Sequence, residues 1–214
     1  MKPEISQTTN PDAASDVNVM KLGLIVEGGL LGLALLLGWF GFCDDRQPLN
    51  ELNWEIGARS ILWGSVATFP MLLYLVVFHY WQPKFFEPMR EFVATQLKPV
   101  FQRSTAFEFL LLSLLAGLSE ELLFRWCLQG GITSLLETQF GISVAVVVGL
   151  AVASILFGVC HWVNSAYGIT ATLIGFYLGA VMIWSGSWLV PAVAHALFDL
   201  VALVYISRLP DASQ

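Results

Sequence analysis

Charge is scarce in this chain. Asp, Glu, Lys and Arg make up 12% of its 214 residues, hydrophobic residues make up 57%, and mean hydropathy is +0.71. An ordinary soluble domain carries about a quarter of its residues as charges, so that class is excluded. An excess of positive charge is missing as well: with a formal net charge of -6, nothing in the chain suggests nucleic acid as a partner. Cysteine is sparse, and Cys43, Cys127 and Cys160 lack metal-type spacing. Two of the three fall in apolar runs, where cysteine acts as a small hydrophobe. The patterns G-x-S-x-G, H-E-x-x-H and a cysteine with triad partners are all absent, which removes three familiar hydrolase signatures. Neither a low-complexity tract nor an internal repeat interrupts the chain.

What the chain has instead is long apolar runs. Several reach the roughly 20 residues that cross a hydrocarbon core of about 30 Å. Spans are expected near 20-42, 60-80, 106-129, 142-163, 169-186 and 188-207, giving an all-α, polytopic transmembrane bundle of about six helices around a polar cavity. Four parts follow: a polar, disordered cytoplasmic tail over 1-19; two spans and a basic interfacial segment over 20-105; a helical core over 106-207; and a short tail over 208-214. The first tail lacks the basic n-region and cleavage site of a secretory signal, so the first span is read as a retained anchor. Segment 81-105 mixes Lys84, Arg90, Lys98 and Arg103 with Phe85, Phe86, Phe92 and Phe101, which suits a helix in the headgroup region or an ordinary connecting loop. With those cations, Lys2, Lys21 and Arg208 on one side against Arg46 and Arg59 on the other, the positive-inside rule puts both termini in the cytoplasm, and the plasma (inner) membrane is the expected location. Gly28 with Gly32 and Gly175 with Gly179 fit the small-xxx-small pattern of close helix approach.

Polar residues inside spans are the informative ones. A central ionised side chain costs roughly 2.5 to 3.5 kcal/mol on insertion scales, so it has a partner or faces a wet cavity. Glu27 and Glu108 lie near span ends and are expected in solvated or interfacial positions. The others form three clusters. Glu121 and Arg125 are four apart on one helical face, while Glu120 is about 140° away from Arg125. Pairing of Glu121 with Arg125 would leave Glu120 free as a base; alternatively all three tie helices together. Phe157 and His161 share a face, as do His195 and Asp199, and Pro191 one turn earlier is expected to kink that span. Carboxylate and imidazole side by side in a wet cavity suit removal of a proton from water in hydrolysis of a peptide bond.

The sequences EELLFR, FGVCH and HALFD, in that order, resemble the three motifs of the CPBP family of intramembrane proteases. That family, also called Abi, includes the type II CAAX prenyl endopeptidases and bacteriocin-processing or self-immunity proteins. The resemblance covers residues 106-207. It implies that Glu120 and His161 activate water, that His195 with Asp199 stabilises the oxyanion, and that Glu121, Arg125 and Phe157 support them. It implies a glutamate-dependent hydrolase with no cofactor, although His161, His195 and Asp199 would also make a zinc set. The substrate is then a membrane-associated peptide or protein tail, or a leader peptide. Two departures stand out: Trp126 occupies a position often held by Gly, and Asp199 one often held by Asn. An ionised Asp199 accepts but cannot donate, so it would orient or charge His195, which then donates alone. The competing reading is a noncatalytic membrane binding or bacteriocin-immunity protein that uses the same polar network structurally, and a proton pathway is a third.

Overall fold

The computed structural model describes residues 19–43 and 54–210. The expected disordered tail, with Lys2, the loop with Arg46 and the end of the second tail lie outside the described residues.

Among the described residues all regular structure is helical. Helix α1 is Val19–Trp39 and α2 is Trp54–Tyr80. A run of short helices follows: a 3-10 turn at Lys84–Phe86, α3 at Glu87–Phe92, a π turn at Val93–Leu97 and α4 at Lys98–Phe101. Segment 81-105 is thus helical rather than an open loop. Helix α5 is Ala106–Glu121, continued by π-helical Leu122–Gly130 and by α6 at Gly131–Phe140. The chain then folds back as α7 at Ile142–Cys160, α8 at Ser165–Ser185 and α9 at Leu189–Ser207. Five helices are long and apolar enough to cross a membrane: Lys21–Trp39, Glu55–Tyr80, Ile142–Cys160, Ser165–Ser185 and Leu189–Ser207. The sixth expected span, 106-129, does not stop at 129 but runs as one helical rod to Phe140, with the charged cluster in its middle.

The boundaries have local causes. Thr105 caps α5, its hydroxyl accepting from the Glu108 backbone N–H while Glu108 accepts from the Thr105 backbone N–H, a reciprocal capping box. That keeps Glu108 at the helix end, as expected. Asn164 caps α8 by accepting from the Tyr167 N–H at 3.0 Å. Gly186 closes α8 at φ 69°, a left-handed conformation that glycine adopts without a Cβ penalty. Pro191 does not kink α9: it falls in the first turn, where its missing N–H would have had no helical partner.

The bundle buries a charged cluster among apolar core residues and turns large apolar side chains outward. Trp39, Phe40, Tyr80 and Trp81, at the ends of α1 and α2, are strongly exposed, in the manner of an aromatic belt. Glu120, Glu121, Arg125 and His195 are buried. Helix α9 packs on both α5 and α2, α7 on α8 and α6, and α1 on α5. The α5–α9 approach depends on Gly117: a Cβ there would stand 2.8 Å from Ala196 Cβ and 2.7 Å from the Ala192 carbonyl oxygen. Of the two small-xxx-small pairs, Gly175 and Gly179 do face neighbours, since Cβ atoms there would meet Ser154 and Gln129 at 3.2 and 2.6 Å. Gly28 and Gly32 have nothing within 4 Å, so that pattern packs no helix here.

Gly141, at φ 80°, turns the chain between α6 and α7. It lies almost midway in sequence between Glu120 and His161. Antiparallel arms of nearly equal length therefore return His161 to the level of Glu120, which straight spans ending at 129 and 163 would not do.

Candidate active site

The three sequence clusters meet around one cavity of about 480 Å³, reached by Glu120, Phe157, His161, His195 and Asp199. Glu120 and Glu121 come from the end of α5, Arg125 from the π-helical continuation, Phe157 and His161 from the end of α7, and His195 and Asp199 from α9.

Glu121 is the hub. One carboxyl oxygen accepts from Arg125 Nε at 2.7 Å and the other from His195 Nδ1 at 2.9 Å, with Glu121 and Arg125 wholly buried. The helical pairing of Glu121 with Arg125 is as expected, and it leaves Glu120 on another face. Asp199 is expected to orient or charge His195, yet it is not the partner of Nδ1. Asp199 lies on the opposite side of the ring, its Oδ2 3.5 Å from Nε2, so Glu121 rather than Asp199 holds the imidazole by Nδ1. The link needs α5 and α9 in contact, which no i,i+4 reading reveals.

His161 ends α7, and its Nδ1 donates to the Phe157 carbonyl at 2.8 Å. In a neutral ring that hydrogen bond leaves Nε2 with a lone pair. Nε2 stands 3.7 Å from Glu120 Oε2, and His195 Nε2 stands 4.0 Å from the same oxygen. Glu120 Oε2 is buried and has no hydrogen-bond partner among the described residues. Two acceptors cannot bond each other, so the pair calls for a shared donor, a part that a water can fill.

Phe157 is the platform of the site. His161 stacks on it at 4.5 Å between centroids, His195 meets its edge at 5.8 Å, Phe124 packs at 5.1 Å, and the Arg125 guanidinium lies 5.3 Å from its centre. Neither terminal guanidinium nitrogen of Arg125 has a hydrogen bond among the described residues, so its charge is met by Glu121 and by the ring face. Trp126 is buried in the core beside α1, its indole filling the space over Gly38, and it stays off the cavity wall. Among the described residues no group of three or more His, Cys, Asp or Glu side chains is arranged to hold a metal ion, the set His161, His195 and Asp199 included.

Two features escaped the sequence reading. Glu27 is not interfacial: it is 9% exposed, accepts from Ser119 Oγ at 2.5 Å and lines the same cavity. The signal for it was an acid followed by an uncharged apolar run, in a span whose one other charge is Lys21. Cys127, expected to act as a small hydrophobe, is joined to Cys43 in a disulfide, while Cys160, expected to do the same, is free and exposed. No sequence signal paired them, because they are 84 residues apart.

Residues 102–201 match the family described as Type II CAAX prenyl endopeptidase Rce1-like. The chain is also similar to the Bacillus subtilis (strain 168) protein described as "Uncharacterized protein YpbD", at 28% identity over 173 residues, covering 78% of this chain and 79% of that one. No solved structure matches the chain.

Proposed function

From the match of residues 102–201 to the family described as Type II CAAX prenyl endopeptidase Rce1-like, we propose that this integral membrane protein is a glutamate-dependent intramembrane endopeptidase. The observation that carries the reading is the unpartnered Oε2 of Glu120 facing His161 Nε2 at 3.7 Å inside a cavity. A water held by these two acceptors has its lone pair free to attack a peptide carbonyl. Glu120 takes the water's proton as the carbon–oxygen bond forms. The carbonyl oxygen, gaining charge, is met by a proton on His195 Nε2, with Glu121 keeping the ring oriented through Nδ1. When the carbon–nitrogen bond breaks, Glu120 returns its proton to the leaving amine. Asp199 accepts only, so its part is to balance charge on His195 beside Nε2.

The substrate is a membrane-associated protein tail or leader peptide that enters the cavity from the cytoplasmic leaflet, and no cofactor takes part. Both termini are placed in the cytoplasm. That orientation puts the Cys43–Cys127 bond toward the far side of the membrane, away from cytoplasmic reductants, where a disulfide persists.

The test is turnover of labelled membrane-protein tails and leader peptides by purified protein in detergent. Glu120→Gln keeps the shape of the side chain and removes the base. It is expected to lower cleavage about 10²- to 10⁴-fold, the range of a lost general base, while the protein still folds. Equal turnover by the variant would end the assignment, and loss of wild-type turnover with a strong chelator would replace it with a metal-dependent mechanism.

A further inference from the structure

Helix α1 turns most of its surface outward. Leu22, Ile25, Val26, Leu33, Leu35 and Leu36 are all strongly exposed, and among the described side chains of the helix only Glu27 and Ala34 are buried. The helix therefore spends its one carboxylate on the cavity. Glu27 lies outside the family-matched segment 102–201, and the mechanism above does not use it.

One Glu27 oxygen accepts from Ser119 Oγ, the neighbour of Glu120 in the chain. Its other oxygen makes no hydrogen bond among the described residues and is not sealed from the cavity that Glu27 lines. Glu27, Glu120 and Asp199 all border that cavity, and no described Lys or Arg does. Arg125 is engaged behind it with Glu121. The remaining walls are largely apolar, with Leu22, Phe78, Phe101, Ile174 and Phe198 among them. A carboxylate in such walls has an open coordination position and no Lys or Arg at hand, His195 and His161 being the cavity's other basic groups, and a low-polarity surround strengthens its attraction for a cation.

We propose that Glu27 is a substrate-selecting subsite, whose free carboxyl oxygen receives a basic side chain, lysine or arginine, of the polypeptide lying across Glu120. This deepens the proteolytic reading and rests on it for the course of the peptide. Two observations carry it together: the free oxygen of Glu27, and the presence of Glu27 and Glu120 on the wall of one cavity. The substrate is thus an apolar tail with a basic residue near the cut bond, and an acidic residue at that position is rejected. A role limited to pinning α1 onto α5 through Ser119 would need one acceptor oxygen and no charge, which separates the two ideas experimentally.

The experiment uses dye-labelled apolar tail peptides, identical except for one residue that is lysine, norleucine or glutamate and is moved stepwise along the peptide. Binding is read by fluorescence anisotropy on full-length Glu120→Gln protein in detergent, and cleavage on wild type. At one position lysine is expected to improve binding about tenfold or more over norleucine, and glutamate to weaken it. Glu27→Gln keeps an acceptor for Ser119 and is expected to erase the lysine advantage while leaving norleucine binding unchanged. Ser119→Ala, which leaves the carboxylate in place, is expected to preserve the advantage. Absence of a lysine advantage at every position, including absence of all binding, overturns the subsite, as does an advantage that survives Glu27→Gln. Lysine-selective binding with no Glu120-dependent cleavage would overturn the protease reading and leave the subsite standing; cleavage without lysine selection would do the reverse.

Discussion

Glu121 illustrates how one buried carboxylate serves two helices. It neutralises Arg125 along its own helix and grips His195 across to α9, and both partners are buried from solvent. Glu121→Ala is therefore expected to destabilise the protein by about 3–5 kcal/mol, the cost of stranding a buried charge, and to release the His195 ring. Thermal unfolding in detergent reads the first effect, and loss of turnover in the fraction still folded reads the second; an unfolding temperature within a degree of wild type would show the pair to be dispensable. At this scale much of the site was legible. Paired groups at four-residue spacing announce themselves in an apolar helix, which is how Glu121 with Arg125, Phe157 with His161 and His195 with Asp199 were found. The Glu121–His195 bond and the Ser119–Glu27 bond join residues far apart in sequence, and periodicity carries no information about them.

Between elements, small side chains decide how near the charged ones come. Gly117, one turn before Glu121, lets α9 approach until Ala192 and Ala196 lie against it. Gly117→Val adds bulk where no space exists and is expected to cost about 1–3 kcal/mol or more, forcing α9 outward and opening the Glu121–His195 distance. Activity is expected to fall much further than stability, because catalytic contacts fail with displacements of about 1 Å. Parallel measurement of unfolding and of Glu120-dependent turnover checks this; equal, small losses in both would mean that α9 can shift without consequence. Element existence was legible from hydropathy, whereas the end of the third span was not. The polar cluster interrupts the apolar run, and only the need to bring Glu120 to the level of His161 argues for a helix past Gly130 and Gly131; the π-helical turn carries the rod through to Phe140. The glycine pair Gly28 and Gly32 misled for a related reason: small residues permit close approach but supply no neighbour.

At the scale of the whole molecule, α1 is tied to the charged rod by the Cys43–Cys127 bond and by Ser119–Glu27, and it otherwise presents apolar side chains outward. A reductant that cannot cross membranes, added outside sealed right-side-out vesicles, is expected to break the disulfide while tags on both termini remain shielded from external protease. Breaking it is expected to remove about 2–4 kcal/mol of stability. A bond that yields only after the vesicles are opened would invert the proposed orientation. Composition disclosed the inside-out polarity of the bundle at once, but the molecule's closure by a bond across 84 residues had no trace in spacing. The hairpin that turns at Gly141 also limits which length changes the chain tolerates. Each inserted residue lifts one arm by about 1.5 Å and rotates its face by about 100°, so a single insertion between Glu120 and Gly141 would carry the carboxylate both off its level and off its face. Insertions and deletions are expected to gather at the turn itself or to occur as compensating pairs, one in each arm, so that the depth of the reaction centre in the bilayer is conserved as a count of residues.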